Sequence, residues 1–206
     1  MKIALCLFGY PRGSTTYAGG AYLSKFEHLF DQVVKHDPDV FIHSWEPELE
    51  QELVELFNPK KYIFQHQLDF QKELQMLDLQ RFERCKHQGG RHSVFKTLSF
   101  LYTRKMANYL KTLFEKENNL VYDCVITSRF DVGYHNHGKN LTSFINFNPR
   151  FDMDSVYSAW WPQINAGVSD HWFYSSSQNV DKICDIYDHV LDYLALDSEY
   201  CQKMRE

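Results

Sequence analysis

The chain has 206 residues, of which 44% are hydrophobic and 24% charged, with a formal net charge of −5. That is long enough for one domain with a sizeable core and too apolar for a disordered chain. The acidic balance and the lack of a long basic block argue against nucleic acid as a partner.

Lys2 to Phe8 (KIALCLF) is a short β-rich run bounded by turn residues and reads as a central strand. The apolar N-terminus ends at Gly9-Tyr10-Pro11-Arg12, too short for a signal-peptide core or a membrane span, so a soluble, cytoplasmic protein is expected. Gly9 to Ser14 is a turn-rich loop that is neither G-x-G-x-x-G nor a Walker loop. Ala21 to His36 has helical spacing and is stopped by Pro38. Asp39 to Trp45 reads as a second buried strand, Glu48 to Phe57 as a short acidic helix, and Lys60 to His66 as a third strand. Gln67 to Lys86 reads as helix, followed by a break at Gln88 to His92. A long helix is predicted from Ser93, its N-cap, to about Glu117.

The apolar run Val121 to Ile126 is then followed by Thr127, Ser128, Arg129, Phe130 and Asp131. Tyr134 to Arg150 reads as loop with at most one short strand, Ser155 to Trp160 as a strand, and Ser169 to Ser175 as a strand or strand entry. Asn179 to about Leu196 is amphipathic helix. The alternation of strands and helices predicts an α/β fold with a mostly parallel central sheet and helices on both faces. No repeat, low-complexity segment or linker breaks 1–206, which reads as a single domain. The lack of a capping or tail signal at Met204-Arg205-Glu206 suggests a domain from a longer polypeptide.

The scattered cysteines (Cys6, Cys85, Cys124, Cys184, Cys201) form no C-x-x-C pair, so they suggest neither a zinc cluster nor a disulfide framework and fit a reducing compartment. The aromatic content of 16% supplies rings for a core or for stacking on sugars and bases, and composition leaves both readings open.

A buried strand that delivers Arg129 and Asp131 at its C-terminal end has the architecture of a ligand site in an open α/β sheet. Mg²⁺ or Mn²⁺ is commonly held by one or two carboxylates together with substrate phosphates, so Asp131 suffices as a metal ligand and Arg129 would pair with phosphate. Two literal Asp-x-Asp strings compete. Asp37-Pro38-Asp39 precedes a strand, at the wrong end of the sheet, and Asp152-Met153-Asp154 lies in a turn before a strand rather than after one. His135 and His137, one residue apart, lack a third His or Cys and read as a solvated loop.

The backbone of Gly9 to Ser14, with Tyr10 and Arg12, suits a base, ribose or diphosphate. His43, Ser44 and Trp45 would line the same crevice. Arg91, His92 and Lys96 cluster at the start of the long helix, where free N–H groups and the dipole favour anions. Trp160 and Trp161 offer faces for sugar stacking, and Asp170, beside His171, is the candidate general base or sugar ligand.

Taken together, MKIALCLFGYPRG, DVFIHSW, the long helix running into YDCVITSRFD and the late SDHWFYSS resemble nucleotide-sugar glycosyltransferases of the GT-A (Rossmann-like) fold. More narrowly, they resemble the capsular-polysaccharide type and the glycosyltransferase domain of chloroviruses, large algal viruses. The resemblance implies a metal-assisted enzyme that moves a hexose or deoxyhexose from a UDP-sugar to a glycan acceptor, in the host cytoplasm if the chain is viral. It implies a nucleotide held at Gly9 to Arg12 and at His43 to Trp45; with the residues read above, the expected nucleotide-sugar contacts are Phe8, Gly9, Tyr10, Arg12, His43, Trp45, Arg91, Lys96, Arg129, Phe130, Asp131 and Trp161. It implies Mn²⁺ or Mg²⁺ at Asp131, and Asp170 as base if the reaction inverts the anomeric centre. Arg129 stands where the commoner motif has an acidic residue. The alternatives are a non-catalytic sugar-nucleotide- or glycan-binding module and, behind it, a metal-dependent nucleotidyltransferase.

Overall fold

The structure, a computed structural model, describes residues 1–11, 32–77, 94–130, 132, 145–159 and 171–194. Its strands are β1 (Ile3–Gly9), β2 (Asp39–Ser44), β3 (Lys61–Phe64), β4 (Cys124–Arg129), β5 (Tyr157–Ser158) and β6 (Trp172–Ser175). Its α-helices are α1 (Glu50–Phe57), α2 (Gln71–Gln75), α3 (Val94–Asn118), α4 (Ser177–Cys184) and α5 (Val190–Leu194), with short 3-10 turns at Val34–His36, Pro47–Leu49 and Asp185–His189.

The strands form one six-stranded sheet in the order β3-β2-β1-β4-β6-β5. β1, β2, β3 and β4 are mutually parallel, while β6 runs antiparallel to β4 and β5 antiparallel to β6. The sheet is therefore mixed, with the predicted parallel core confined to four strands. From β1 the chain steps outward to β2 and β3, then crosses back under α3 to place β4 on the other side of β1. The connections leaving β1 thus diverge, which makes the gap beyond the C-terminal ends of β1 and β4 the topological switch point of the sheet.

Period-two alternation divides the buried side chains between two faces. Ile3, Leu5, Leu7, Val40, Ile42, Cys124, Ile126, Trp172 and Tyr174 join Leu53 and Phe57 of α1 on one side. Ala4, Cys6, Phe8, Phe41, Val125 and Phe173 join Ala107 and Leu110 of α3 and Val180 and Cys184 of α4 on the other. Helices on both faces follow from this double burial, as predicted. The α1-side face also carries an aromatic ladder in which Trp172, Tyr174, Tyr157 and Phe151 stack in sequence. Strands this short present little aliphatic surface, and large rings supply the missing area.

Several boundaries differ from the sequence reading. β4 begins at Cys124 rather than Val121, which is 71% exposed, so Thr127, Ser128 and Arg129 lie inside the strand and not beyond it. In the described part of the expected strand Ser155 to Trp160, residues 155–159, pairing with β6 reaches Tyr157–Ser158. In the described part of the expected Gln67 to Lys86 helix, residues 67–77, the helix is Gln71–Gln75, preceded by Phe70 in a left-handed conformation (φ 51°) that no helix interior tolerates. The C-terminal helix is broken by the 3-10 turn at Asp185–His189. Ala21 to Asp31 lies outside the described residues.

α3 is tied to the sheet and to α4 by a buried charge. Lys111 is fully buried, and its ammonium donates to Glu115 Oε2 at 2.9 Å, Ser177 Oγ at 2.6 Å and Asp181 Oδ1 at 2.8 Å. Those three bonds use its full donor capacity. Glu115 Oε1 in turn accepts the Ser177 hydroxyl at 2.8 Å and the Tyr122 backbone N–H at 2.9 Å, which secures the approach to β4. Burial by itself lowers the Lys111 pKa, but the hydrogen bonds to Asp181 and Glu115 and the charge of Asp181 outweigh it and the net shift is upward.

Lys111→Met strands two carboxylates beside the core and is expected to cost about 3–5 kcal/mol, read as a lowered urea midpoint. The raised lysine contributes its stability in full below its unfolded value near 10.5 and loses it as pH rises through the higher folded-state value. The alkaline loss of stability is therefore expected in the wild type and to be reduced in Lys111→Met.

Candidate functional site

The switch point is held together by backbone bonds. Phe130 N–H donates to Phe8 O at 3.4 Å, Trp45 N–H to Gly9 O at 3.3 Å and Arg129 N–H to His171 O at 3.1 Å. The ends of β1, β2 and β4 and the entry to β6 are thereby fastened at one edge. Gly9 closes β1 at φ +99°, a conformation reserved for glycine, while a Cβ built there meets nothing within 4 Å. The residue is thus required by its backbone and not by crowding. Its N–H donates to Thr103 Oγ1 of α3 at 3.1 Å.

Thr103 also meets His43 of β2, with Oγ1 2.5 Å from Nδ1. His43 is fully buried, and desolvation pushes its pKa down to about 3, so the imidazole is neutral at ordinary pH. Its ring packs edge-on to Trp45 (centroids 4.8 Å, 89°), and Trp45 stacks on Tyr102 of α3 (5.4 Å, 16°). His43 Nε2 and Trp45 Nε1 are buried and, among the described residues, have no hydrogen-bond partner. An orphaned buried polar atom is uncommon and calls for an explanation.

A second polar chain crosses the same edge. The Tyr10 hydroxyl, on a residue 41% exposed, donates to Gln67 Oε1, and Gln67 Nε2 donates to Ser99 Oγ at 2.7 Å. Gln65 Nε2 lies 3.5 Å from the Tyr102 hydroxyl. Gln65, Gln67, Ser99 and Thr103 were missed in the sequence reading. Ser99 and Thr103, four residues apart and both buried on α3, are the signal in the sequence that points to them.

The fold brings together Phe8, Gly9, Tyr10, His43, Trp45, Arg129 and Phe130 at one edge of the sheet, as the sequence reading grouped them. Within that group Phe8 and Phe130 are core residues, 1% exposed each. Phe8 packs edge-on to Phe100, and Phe130 packs against Phe57. Their part in any site is to anchor the backbone on either side of the gap. Lys96 lies exposed in the first turn of α3. Arg12, Arg91, Asp131, Trp161 and Asp170 lie outside the described residues, as do His92, His135, His137 and Trp160. Phe130 and Val132, which flank Asp131 in sequence, are both buried in the α1-side core.

The competing Asp-x-Asp strings have structural roles. Asp39 Oδ2 accepts the Tyr122 hydroxyl at 2.7 Å, and its Oδ1 pairs with Lys60 at 3.4 Å. Asp152 Oδ1 accepts the Asp154 N–H at 3.0 Å in a turn that precedes β5. Both sit at the edge opposite the switch point. Among the described residues no group of three or more His, Cys, Asp or Glu side chains is placed to hold a metal ion, and no helix is long and apolar enough to cross a membrane.

Compared with protein-family models, with curated proteins and with solved structures, the chain matches none.

A histidine with a depressed folded-state pKa stabilises the fold above its unfolded value near 6.5 and loses that stability as pH falls toward about 3. His43→Asn is therefore expected to shrink the drop in urea stability between pH 7 and pH 5 by about 2 kcal/mol relative to the wild type.

Proposed function

We propose that the protein is a glycosyltransferase that moves a hexose or deoxyhexose from a UDP-sugar to a glycan acceptor. The carrying observation is the coincidence of the switch point between β1 and β4 with the ends Gly9 and Arg129. Open α/β sheets bind ligands at that place, and the residues that arrive there suit a nucleotide with a diphosphate. The parallel four-strand core and the resemblance of the sequence to GT-A enzymes support the same reading.

In this mechanism the backbone around Gly9 and Tyr10 receives the nucleotide. Arg129, at the end of β4, pairs with the diphosphate, which stabilises negative charge on the departing UDP. Asp131, two residues further on, is the ligand for Mn²⁺ or Mg²⁺; bound there, the metal supplies further charge neutralisation to the leaving group. Asp170 precedes His171, whose carbonyl is fastened to Arg129 N–H. In an inverting reaction Asp170 takes the proton from the acceptor hydroxyl; in a retaining one it binds sugar.

Incubation with a panel of UDP-sugars and Mn²⁺, with UDP release as the readout, tests the reading. Turnover is expected in the wild type and a loss of about 100-fold or more in Asp131→Ala. Unchanged turnover in the variant removes Asp131 from the mechanism. Tight UDP-sugar binding by calorimetry with no turnover on any acceptor or water identifies a binding module instead.

A further inference from the structure

The aromatic ladder on the α1-side face starts beside the switch point and ends in the open. Trp172 enters β6 next to His171, whose carbonyl is fastened to Arg129 N–H. From Trp172 the rings step to Tyr174 (5.9 Å, 7°), to Tyr157 (5.0 Å, 20°) and to Phe151 (5.0 Å, 27°). Trp172 and Tyr174 are buried, Tyr157 is half-buried and Phe151 is 42% exposed. The Phe151 ring thus rests on Tyr157 and keeps much of its surface open.

The turn that carries Phe151 is held by its backbone. Phe151 N–H donates to Asn148 O at 3.1 Å and Arg150 N–H to Asn148 Oδ1 at 3.0 Å. Met153 O accepts the Ser176 N–H at 2.8 Å, Ser155 O the Ser175 hydroxyl at 2.8 Å, and Asp154 O the Asn179 side-chain N–H at 3.0 Å. These bonds pin the segment to β6 and α4 through main-chain carbonyls and leave Arg150, Phe151, Asp152 and Asp154 exposed. A ring fixed in this way loses little conformational freedom when a ligand stacks on it.

We propose that Phe151 and its turn are a docking site for a neutral, hydroxyl-rich glycan, remote from the switch point. A sugar ring carries C–H bonds on its faces and hydroxyls around its rim. The phenyl ring takes the former. The Arg150 guanidinium and the Asp152 carboxylate, on either side of it in the chain, take the latter. The carboxylates of Asp152 and Asp154 oppose a phosphate chain, and charges on both sides of the ring break up the contiguous apolar patch that an apolar protein partner needs. The inference rests on the proposed glycan acceptor and specifies it. Because the ladder is continuous with the switch point, this place receives the far end of an acceptor several sugar units long.

Calorimetry on the full chain with cellohexaose and with maltohexaose tests the site. Wild-type protein is expected to bind at least one of them. Phe151→Ala is expected to bind it about tenfold more weakly, Phe151→Tyr within about twofold of wild type, and Arg150→Ala a few-fold more weakly. No binding of either hexaose by the wild type, or wild-type affinity in Phe151→Ala, overturns the proposal. Where Phe151→Ala lowers the urea midpoint, Arg150→Ala, which leaves the ring stacking intact, decides, and wild-type affinity there overturns it equally. Hexaose binding weakened by these substitutions in a protein that releases no UDP from any UDP-sugar leaves the docking site standing and removes glycosyl transfer. UDP release with a hexaose acceptor whose KM is unaltered in Phe151→Ala does the reverse.

Discussion

Strand β1 has neither a free edge nor a free face. It bonds β2 on one side and β4 on the other, and residues Ala4 to Leu7 are fully inaccessible between α1-side and α3-side cores. A strand so placed is apolar at every position, and its two parallel neighbours are reached by crossover connections. The divergence of those crossovers opens the gap at its C-terminal end. The position of the candidate site is thus a consequence of burying β1, and its occupants are whatever residues the strand ends deliver there.

The edge is kept rigid by a division of labour. Phe8 and Phe130 are sunk into opposite cores and hold the backbone of β1 and β4 in register. Gly9, between them, makes the turn that only its backbone allows. Thr103 joins that glycine to His43 and so couples α3 to the ends of two strands through one hydroxyl. Farther along α3, Lys111 performs the corresponding task for α4 with a charge in place of a hydroxyl. Polar groups thus occur on the buried face of α3 where the helix must be fixed against a particular partner, and the apolar residues between them supply bulk stabilisation that would tolerate sliding.

That helix also marks the limit of sequence reading. Its length and its apolar stripe were plain, as were β1, β2 and the short acidic helix, because periodicity and turn residues are local properties. The grouping of Gly9, Tyr10, His43, Trp45 and Arg129 at one edge was also anticipated, since each follows or ends an apolar run and a parallel sheet aligns such ends. Ser99, Thr103, Gln65 and Gln67 were not anticipated. They look like ordinary surface residues in the sequence, and acquire a role only when β3 and α3 bring them over the end of β2.

The sequence by itself determined the α/β class and the parallel core, because burial patterns record which strands are enclosed on both faces. Only the tertiary structure decided the strand order, the antiparallel direction of β6 and the short extent of β5, which depend on pairings between residues far apart in the chain. It also separated residues of similar appearance. Phe8 and Phe130 became core, Asp39 and Asp152 became caps and pairs at the far edge, and His43 and Trp45 became buried donors. The physical reason is the same in each case: a side chain's chemistry is set by what surrounds it, and those surroundings are built from distant segments.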